Sequence, residues 1–496
     1  MDSEELKSHL TRALQKHHEW LLVDSSGKSF ALRISEIEVE TIRGKLFFGF
    51  LDERGFQIWR VAEFETKDEK ILLQLARNFG RELAKMTLVP RISARELSAS
   101  AQSARLEKVR EIASLFAVES GSKILRAELN EENGRFAQIL LEDGKGRRAA
   151  ALADVTGLLT PETVLSMAVF RLAKLQSARK NQIAEITVLA EKKQARALRK
   201  LHALLSDGWK RRIFLKEISR SGAKAEKSPP SATLKNLKPM RIAELWRGKA
   251  RKIRPPETFE PSESARRIIE FAPAEIDAVF SHQGETLRFH GLPFARIRRV
   301  SGGEQVWFGI DAKKRFLTEN NFEDFLRLID ELKEYRRADS ENKRHEFYTR
   351  APESWLESVL RRDIRRLDAN LILSPVYHQF RAEREKIDLL ALRSDGRLVV
   401  IELKTAPDRA SVYQVIDYWR RIETARRNGS LHQAKIFGET EIRNEPALVF
   451  LVAPTLAFHH DFDFTASTVS PEIEIYRFEL NEDWRREIKV LRRLKV

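Results

Sequence analysis

The sequence predicts a multidomain protein of mixed α/β and α+β class, whose C-terminal domain has the element order α-β-β-β-α-β. The chain has 496 residues, which is too long for a single hydrophobic core. About two to four domains are therefore expected. Its hydrophobic content of 42% supports globular folding. Amphipathic helical patterns alternate with short apolar runs bounded by turn signals, which favours sheets covered by helices.

Residues 1–98 are predicted to form a small α+β module. The runs SFALRIS, KLFFGFL and FQIWRVA are typical of short strands, and ILLQLARNFGRELAKM has the apolar spacing of a helix. Residues 99–219 are predicted to form an α/β domain. An amphipathic helix over residues 103–116 opens it, and strands and helices follow in the order β-β-β-α-β-α-β.

Residues 220–264 are predicted to be a linker rich in proline, serine and lysine. The segment MRIAELW inside it is a candidate docking helix. The tract KARKIR could contact nucleic-acid phosphates, although a solvated basic tether explains the same composition equally well. Its candidate nucleic-acid-binding residues are Lys249, Arg251, Lys252 and Arg254.

Residues 265–340 are predicted to form a second small α+β module. Strand-like runs TLRFHGLPFARIRR and QVWFGI precede the helical pattern FEDFLRLIDELKEYRR. The fragments LRIS and LFFGF of the first module resemble LRFH and VWFGI here, with Gly49 and Gly309 as candidate equivalents. The pattern of the first module therefore returns after the linker.

Residues 341–496 are predicted to form the C-terminal αβββαβ domain. A helix over residues 355–364 and a strand near residues 376–380 come first. Two apolar runs around the turn SDG then form a hairpin. Another helix and further strands complete the domain, at residues 412–426, 447–452 and 474–479.

The hairpin gathers charged side chains on one face of the predicted sheet. If SDG is the loop, Asp388 lies opposite Glu402, and opposed residues share a face. Lys404 lies two residues further along and shares that face. Carboxylates on a buried face are unfavourable unless they are paired or bind a metal, and Mg²⁺ takes oxygen ligands of this kind. A buried salt-bridge cluster would explain the same three residues.

These residues resemble the motif of the PD-(D/E)XK nuclease superfamily. Asp388 stands on one strand, and Glu402, Leu403 and Lys404 supply E-x-K on the next. Ile387 replaces the proline of the family name, at a position that varies. The resemblance covers about residues 350–496 and implies a restriction-endonuclease-like core.

Two further matches extend the resemblance. Gln414 and Tyr418, spaced Q-x3-Y on the following helix, resemble the additional motif of the RecB-like branch. Glu357, in PESWLESVLRRDI, matches the acidic residue that many members carry on the preceding helix.

The resemblance implies a Mg²⁺- or Mn²⁺-dependent nuclease that hydrolyses DNA phosphodiester bonds, in repair, recombination or defence. Asp388 and Glu402 would bind the metal, and the Leu403 carbonyl would be a further ligand. Lys404 would orient or activate the attacking water. The roles implied for the remaining residues are assistance through a second metal or a water for Glu357, and positioning of Lys404 or the scissile phosphate for Gln414 and Tyr418.

The two halves of the chain suggest an internal duplication, in which the N-terminal copy of the nuclease-like domain is degenerate. LEKV around Glu107 matches LESV around Glu357, and RRAAALADVT matches RLVVIELKT. The copy would lack the metal site, because the positions expected to match Asp388, Glu402 and Lys404 hold Gln138, Ala153 and Val155. Two unrelated α/β domains with the same element order are the alternative.

The amino-acid composition limits which binding partners are expected. A net charge of +16 and a pI of about 9.8 favour a polyanion, DNA before a membrane surface, and leave RNA open. The chain has no cysteine, which removes disulfides and thiolate chemistry. The charged N-terminus lacks a signal-peptide pattern and the longest apolar run, near residues 447–458, is too short to cross a bilayer, so a cytoplasmic protein without membrane contact is expected.

A function from another class fits the same sequence. A non-catalytic DNA-binding or scaffold protein could retain the nuclease-like fold for its shape alone. The pattern HHDFD, containing His459, His460 and Asp461, matches no catalytic metal signature and is interpreted as a polar loop after a core strand.

Overall fold

In a computed structural model, the protein forms two compact units, Met1–Ala104 and Arg105–Val496. The residues it describes are 3–24, 29–52, 55–67, 69–77, 82–91, 94–177, 183–220, 232–247, 260–281, 284–300, 303–310, 314–374 and 388–496.

The first unit is an antiparallel sheet with an N-terminal helix. In its described residues the sheet has seven strands in the order β2-β1-β7-β6-β5-β4-β3. Leu10 and Leu14 of the helix are buried in the core with Trp20 and Phe48. The elements are α1 (Ser3–Leu14), β1 (Glu19–Asp24), β2 (Ser29–Arg33), β3 (Ile37–Ile42), β4 (Lys45–Asp52), β5 (Gly55–Lys67), β6 (Lys70–Arg77) and β7 (Glu82–Pro90).

The helix predicted from ILLQLARNFGRELAKM is wrong, since this segment forms β6 and β7. Ile71, Leu73 and Leu75 are buried and alternate with exposed residues, which is the period of a strand. Pairing of β6 with both β5 and β7 fixes the extended conformation. Short apolar runs fit either period, so tertiary pairing decides between them.

An α/β domain follows along the chain. The helix that opens it is longer than predicted, since it starts at Ala94, before the first residue of the second unit. The elements are α2 (Ala94–Ser120), β8 (Lys123–Leu129), β9 (Phe136–Glu142), β10 (Arg148–Asp154), α3 (Pro161–Gln176), β11 (Ile186–Glu191), α4 (Lys192–His202), α5 (Asp207–Lys210), β12 (Ile213–Arg220) and β13 (Ala232–Asn236).

Residues 232–247 of the predicted linker are folded into the second unit. β13 pairs with β12 as the edge strand of its sheet. A 3-10 helix, Ile242–Arg247, buries Leu245, and the ring of Trp246 lies 5.9 Å from that of Trp419. The candidate docking helix therefore docks, whereas the tract with Lys249, Arg251, Lys252 and Arg254 lies outside the described residues.

A five-stranded antiparallel sheet, in the described residues, forms the second small module. Its strands follow chain order, unlike those of the first unit. Gly309 comes after the fourth of them, whereas Gly49 lies inside β4, so the two glycines are not equivalent. The elements are α6 (Glu263–Ile269), β14 (Ile276–Ser281), β15 (Gly284–Phe289), β16 (Leu292–Val300), β17 (Gly303–Phe308), β18 (Arg315–Phe316), α7 (Phe322–Tyr335) and α8 (Glu346–Thr349).

The C-terminal domain repeats the plan of the first α/β domain. In the described chain both sheets have six strands, ordered β8 to β13 and β19 to β24. In both, two antiparallel pairings are followed by two parallel pairings and a final antiparallel one. The elements are α9 (Pro352–Arg362), β19 (Leu371–Leu373), β20 (Leu389–Arg393), β21 (Leu398–Leu403), α10 (Ser411–Arg427), α11 (Ser430–Gln433), β22 (Leu448–Pro454), α12 (Phe462–Ser467), β23 (Ile475–Leu480) and β24 (Val490–Lys495). The strand predicted near residues 376–380 lies outside the described residues.

The faces of the two sheets correct the predicted alignment of the halves by one residue. Ala153 packs with α2, whereas Val400, on the same face as Glu402, packs with α10. Since α2 precedes its sheet as α9 does, Ala153 lies on the face opposite to that of Glu402. Strand pairing and sheet face together match Leu152 with Glu402. The predicted alignment is one residue off, and a shift of one residue moves every side chain of a strand to the other face.

Candidate active site

The hairpin of β20 and β21 has the register that a three-residue turn predicts. Leu389 pairs with Ile401 and Leu390 with Val400, so the next position places Asp388 opposite Glu402. Oδ2 of Asp388 accepts a hydrogen bond from the Leu403 amide at 2.9 Å. The two carboxylates therefore lie on one face at the carboxyl end of β21.

Glu402 and Lys404 form a buried ion pair at this end of β21. Glu402 is 3% exposed and Lys404 is 9% exposed. The Nζ atom of Lys404 lies 3.0 Å from Oε1 of Glu402 and 3.6 Å from Oδ2 of Asp408, in the loop that leads to α10. The predicted E-x-K residues thus stand together, with a third carboxylate beside the lysine.

The electrostatics of the pair are set by burial and by an excess of negative charge. Burial raises the pKa of Glu402, repulsion from Asp388 and Glu353 adds to the rise, and attraction by Lys404 opposes it. Burial lowers the pKa of Lys404, but the carboxylates of Glu402, Glu353 and Asp408 outweigh burial and leave the pKa raised. Lys404 is therefore a cation at neutral pH, and a second cation would relieve the repulsion among the carboxylates.

A buried carboxylate oxygen supports a cation at this place. Oε2 of Glu402 is buried and has no hydrogen-bond partner among the described residues. On α10, Oε1 of Gln414 is likewise buried without such a partner. An unpaired buried oxygen is unfavourable by about 1–3 kcal/mol. The carboxylates of Asp388 and Glu402 and the carbonyl of Leu403 are the oxygen donors that Mg²⁺ takes in proteins. The residues present fit such an ion.

Helix α10 covers the sheet face that carries Glu402. Val412 and Ile416 of α10 pack in one core with Val400 of β21. Tyr418 is 6% exposed in that core, with the Arg421 guanidinium 5.7 Å from its ring centre. The structure thus places both residues of the Q-x3-Y pattern on this helix.

Glu357 pairs with a buried basic side chain of the small module. Its Oε1 lies 3.0 Å from Nη1 of Arg288 on β15, and Arg288 also pairs with Asp277 of β14. All three side chains are at most 15% exposed. Glu357 therefore joins the small module to α9. Glu353, one turn earlier on the same helix, carries a charge that acts on both Glu402 and Lys404.

The small module fixes the first turn of α9. Gly291, at φ +78°, lies so close to this turn that a Cβ would stand 1.8 Å from the Ser354 carbonyl oxygen. The buried guanidinium of Arg336 donates to the carbonyl oxygens of Phe289 at 2.9 Å and Arg350 at 2.8 Å. Neither contact has a sequence signal, because both join segments that are distant in the chain.

The loop between β21 and α10 is held by the first α/β domain. Nη1 of Arg409 lies 2.7 Å from Oε1 of Glu132. The backbone carbonyl of Arg409 accepts a hydrogen bond from Oγ of Ser166 at 3.2 Å. Its guanidinium lies 5.3 Å from the ring centre of Phe170. Arg409 follows Asp408 directly, so these contacts act next to the partner of Lys404.

The other side of Arg409 contacts the HHD loop. Nε of Arg409 donates to Nε2 of His459 at 3.2 Å, and burial, with the charges of His460 and Arg409, lowers the pKa of His459. One ligand atom each from His459, His460 and Asp461 lies within 4.8 Å of the others. A guanidinium on this cluster competes with a metal for His459, which supports the interpretation as a polar loop.

Comparison with known proteins gives distant structural likenesses. No family model matches the sequence, and no curated protein matches it. The apo structure of EndoMS is similar at 15% identity, over 40% of this chain and 91% of that one, with a TM-score of 0.14. A repair endonuclease from Pyrococcus abyssi is similar at 12% identity, over 44% and 96%, with a TM-score of 0.15. A complex of EndoMS with double-stranded DNA is similar at 15% identity, over 40% and 92%, with a TM-score of 0.16.

The described residues contain no helix that is both long and apolar enough to cross a membrane.

Proposed function

We propose that this protein is a Mg²⁺- or Mn²⁺-dependent nuclease that hydrolyses DNA phosphodiester bonds, in repair, recombination or defence. The observation that carries the proposal is the buried ion pair of Glu402 and Lys404 beside Asp388, with one carboxylate oxygen of Glu402 unpaired. In a purely structural salt-bridge cluster, that oxygen would have a hydrogen-bond or ion-pair partner. A PD-(D/E)XK centre, in contrast, keeps it for a cation.

The chain's own groups divide the work of such a centre. Asp388 and Glu402 would hold the ion, with the Leu403 carbonyl as a further ligand. The bound metal supplies Lewis acidity toward the phosphate and lowers the pKa of a water. Lys404, a cation held by Glu402 and Asp408, would orient that water and stabilise negative charge on the phosphate, since an ammonium cannot accept a proton. The unpaired amide oxygen of Gln414 would accept from the water or from Lys404.

We assign the helix acid of the motif to Glu353 rather than Glu357. Glu353 lies in the first turn of α9 and its charge acts on both Glu402 and Lys404. Glu357 is neutralised by Arg288. Tyr418 keeps the positioning role that the RecB-like pattern implies.

The test is a cleavage assay with Mg²⁺ and with Mn²⁺ on single-stranded, duplex, flapped and mismatched DNA and on RNA. Asp388→Asn, Glu402→Gln and Lys404→Ala should each abolish cleavage, and combining them should add little, because these groups act as a unit. Mg²⁺ should also raise the melting temperature of the wild type more than that of Glu402→Gln.

Glu472→Gln, which changes an exposed acid outside β21, is the matched control and should cut like the wild type. Cleavage retained in Glu402→Gln, or a folded wild type that binds DNA and cuts none of the substrates, would favour the non-catalytic DNA-binding alternative.

The repeated plan of the two six-stranded sheets supports an internal duplication of the nuclease-like domain. The strand order, the direction of every pairing and the places of the flanking helices agree. By pairing and face, the positions of Asp388, Glu402 and Lys404 are held in the first copy by Gln138, Leu152 and Asp154.

A further inference from the structure

We propose that the second unit is a single-chain pseudo-dimer with one active half, so that it nicks one strand of duplex DNA instead of breaking both. The inference rests on the proposed function. It adds the form of the substrate and the outcome of each cutting event.

The contact between the two α/β domains joins equivalent elements. Helices α3 and α10 each connect the third and fourth strands of their sheets, and they pack against each other. Helices α4 and α12 each follow the fourth strand. α10 contacts α4, and reciprocally α3 contacts α12, where the rings of Phe170 and Phe464 lie 5.5 Å apart.

The segments after α4 and α12 pair with each other in an antiparallel bridge. The Ser206 amide donates to the Thr468 carbonyl at 2.8 Å, and the Ser470 amide donates to the Leu204 carbonyl at 2.8 Å. Reciprocal bonds between equivalent segments, running in opposite directions, are what a two-fold axis produces. The contact therefore has the form of a homodimer interface within one chain.

Only one half of this pseudo-dimer carries the candidate catalytic groups. The position matching Glu402 is Leu152, which is fully buried among apolar side chains. Asp154, at the position matching Lys404, accepts from the Thr156 amide at 2.8 Å and the Leu159 amide at 3.0 Å. It also accepts from the Thr156 hydroxyl at 2.7 Å, the Gly157 amide at 3.1 Å and Nε2 of Gln194 at 3.2 Å. These five hydrogen bonds occupy the carboxylate, which therefore caps the loop after β10.

A two-fold protein matches the two-fold symmetry that relates the strands of duplex DNA, so each half of a symmetric pair faces one strand. With both sites intact, a dimer of this form would present one site to each strand. In this chain the second site is occupied by Leu152 and the capping Asp154, and one strand remains whole. The inactive half then acts as a binding platform opposite the cut.

Supercoiled plasmid distinguishes these outcomes in one assay with Mg²⁺ or Mn²⁺. In parallel, mismatched and flapped duplex oligonucleotides carry a separate label on each strand. The wild type should convert supercoiled plasmid into open circles, with linear DNA appearing only after the supercoiled form is gone, and should cut one labelled strand per duplex. Glu402→Gln should leave every substrate intact, which excludes a contaminating nuclease.

Linear plasmid formed while supercoiled plasmid remains would overturn the inference, because it requires two coordinated cuts. Cleavage confined to single strands would also overturn it, since no duplex would then be held. A folded wild type that cuts no DNA would instead defeat the proposed function itself.

Discussion

At the residue scale, the candidate site shows which side chains a linear pattern can bring together. Asp388 and Glu402 are predictable, because strand alternation and a short turn fix their register and no distant segment is needed. The proposed choice of Glu353 over Glu357 is not predictable from the sequence. The two acids lie one turn apart on the same helix face, and Arg288, far away in sequence, neutralises one of them.

Glu353→Gln and Glu357→Gln should separate chemistry from stability. Glu353→Gln should lower the cleavage rate and leave the melting temperature nearly unchanged. Glu357→Gln should lower the free energy of unfolding by about 1–3 kcal/mol, because it removes a charged partner of buried Arg288, and leave cleavage per folded molecule unchanged. Thermal unfolding and initial rates on one set of preparations check both. The opposite result would return the helix acid to Glu357.

His290 should make the second unit sensitive to acid. Burial, with repulsion from Arg362 and Arg336, lowers its pKa to about 3, and its ring stacks on Trp355 with centres 5.0 Å apart. A folded-state pKa below the ordinary value of about 6.5 means that stability is present above pH 6.5 and is lost as the pH falls toward 3.

The melting temperature measured between pH 7.5 and pH 4 should therefore fall less steeply in His290→Asn than in the wild type. Asparagine tolerates the left-handed backbone at this position, where φ is +40°. His460→Asn, in an exposed histidine, is the control and should keep the wild-type slope. Equal slopes for all three proteins would show that acid unfolding has another origin.

At the scale of elements, the β21–α10 loop depends on contacts that neighbouring residues do not reveal. Arg409 holds it against Glu132, Ser166 and Phe170 of another domain. The same lesson applies to β6, where apolar spacing fits a helix and pairing with two strands makes it a strand. It applies again to β13, whose basic, polar sequence resembles a linker and whose conformation comes from β12.

Arg409→Ala should slow cleavage by about 10–100-fold through misplacement of the loop that carries Asp408. Arg409 is a positioning residue, so kcat should fall while KM for DNA changes little, and Arg409→Lys should restore part of the rate. Glu132→Gln should reproduce part of the loss, and the double variant should be less than additive. Fully additive losses would show that the two residues act independently.

At the scale of the whole molecule, the net charge of +16 predicts DNA affinity that falls steeply with salt. Replacing Lys249, Arg251, Lys252 and Arg254 with glutamine should reduce the slope of log affinity against log salt by up to about 0.9 for each lost phosphate contact. The matched control makes the same replacement on exposed residues of α4, namely Lys192, Lys193, Arg196 and Lys200. Fluorescence anisotropy at several salt concentrations measures both slopes. Equal slopes for the linker variant and the wild type would show that this basic tract makes no phosphate contacts and only connects its neighbours.

The continuous core of the second unit has a consequence for how this chain can change. Leu165 of α3 and Val412 of α10 belong to one apolar cluster, which also holds Leu152 of the first α/β domain and Val400 of the last. Each domain covers apolar surface of the other, so deleting either one would expose that surface to water. The apolar side of the first domain is necessary for the folding of its neighbour, whether or not that domain carries chemistry of its own. Its persistence needs no substrate of its own.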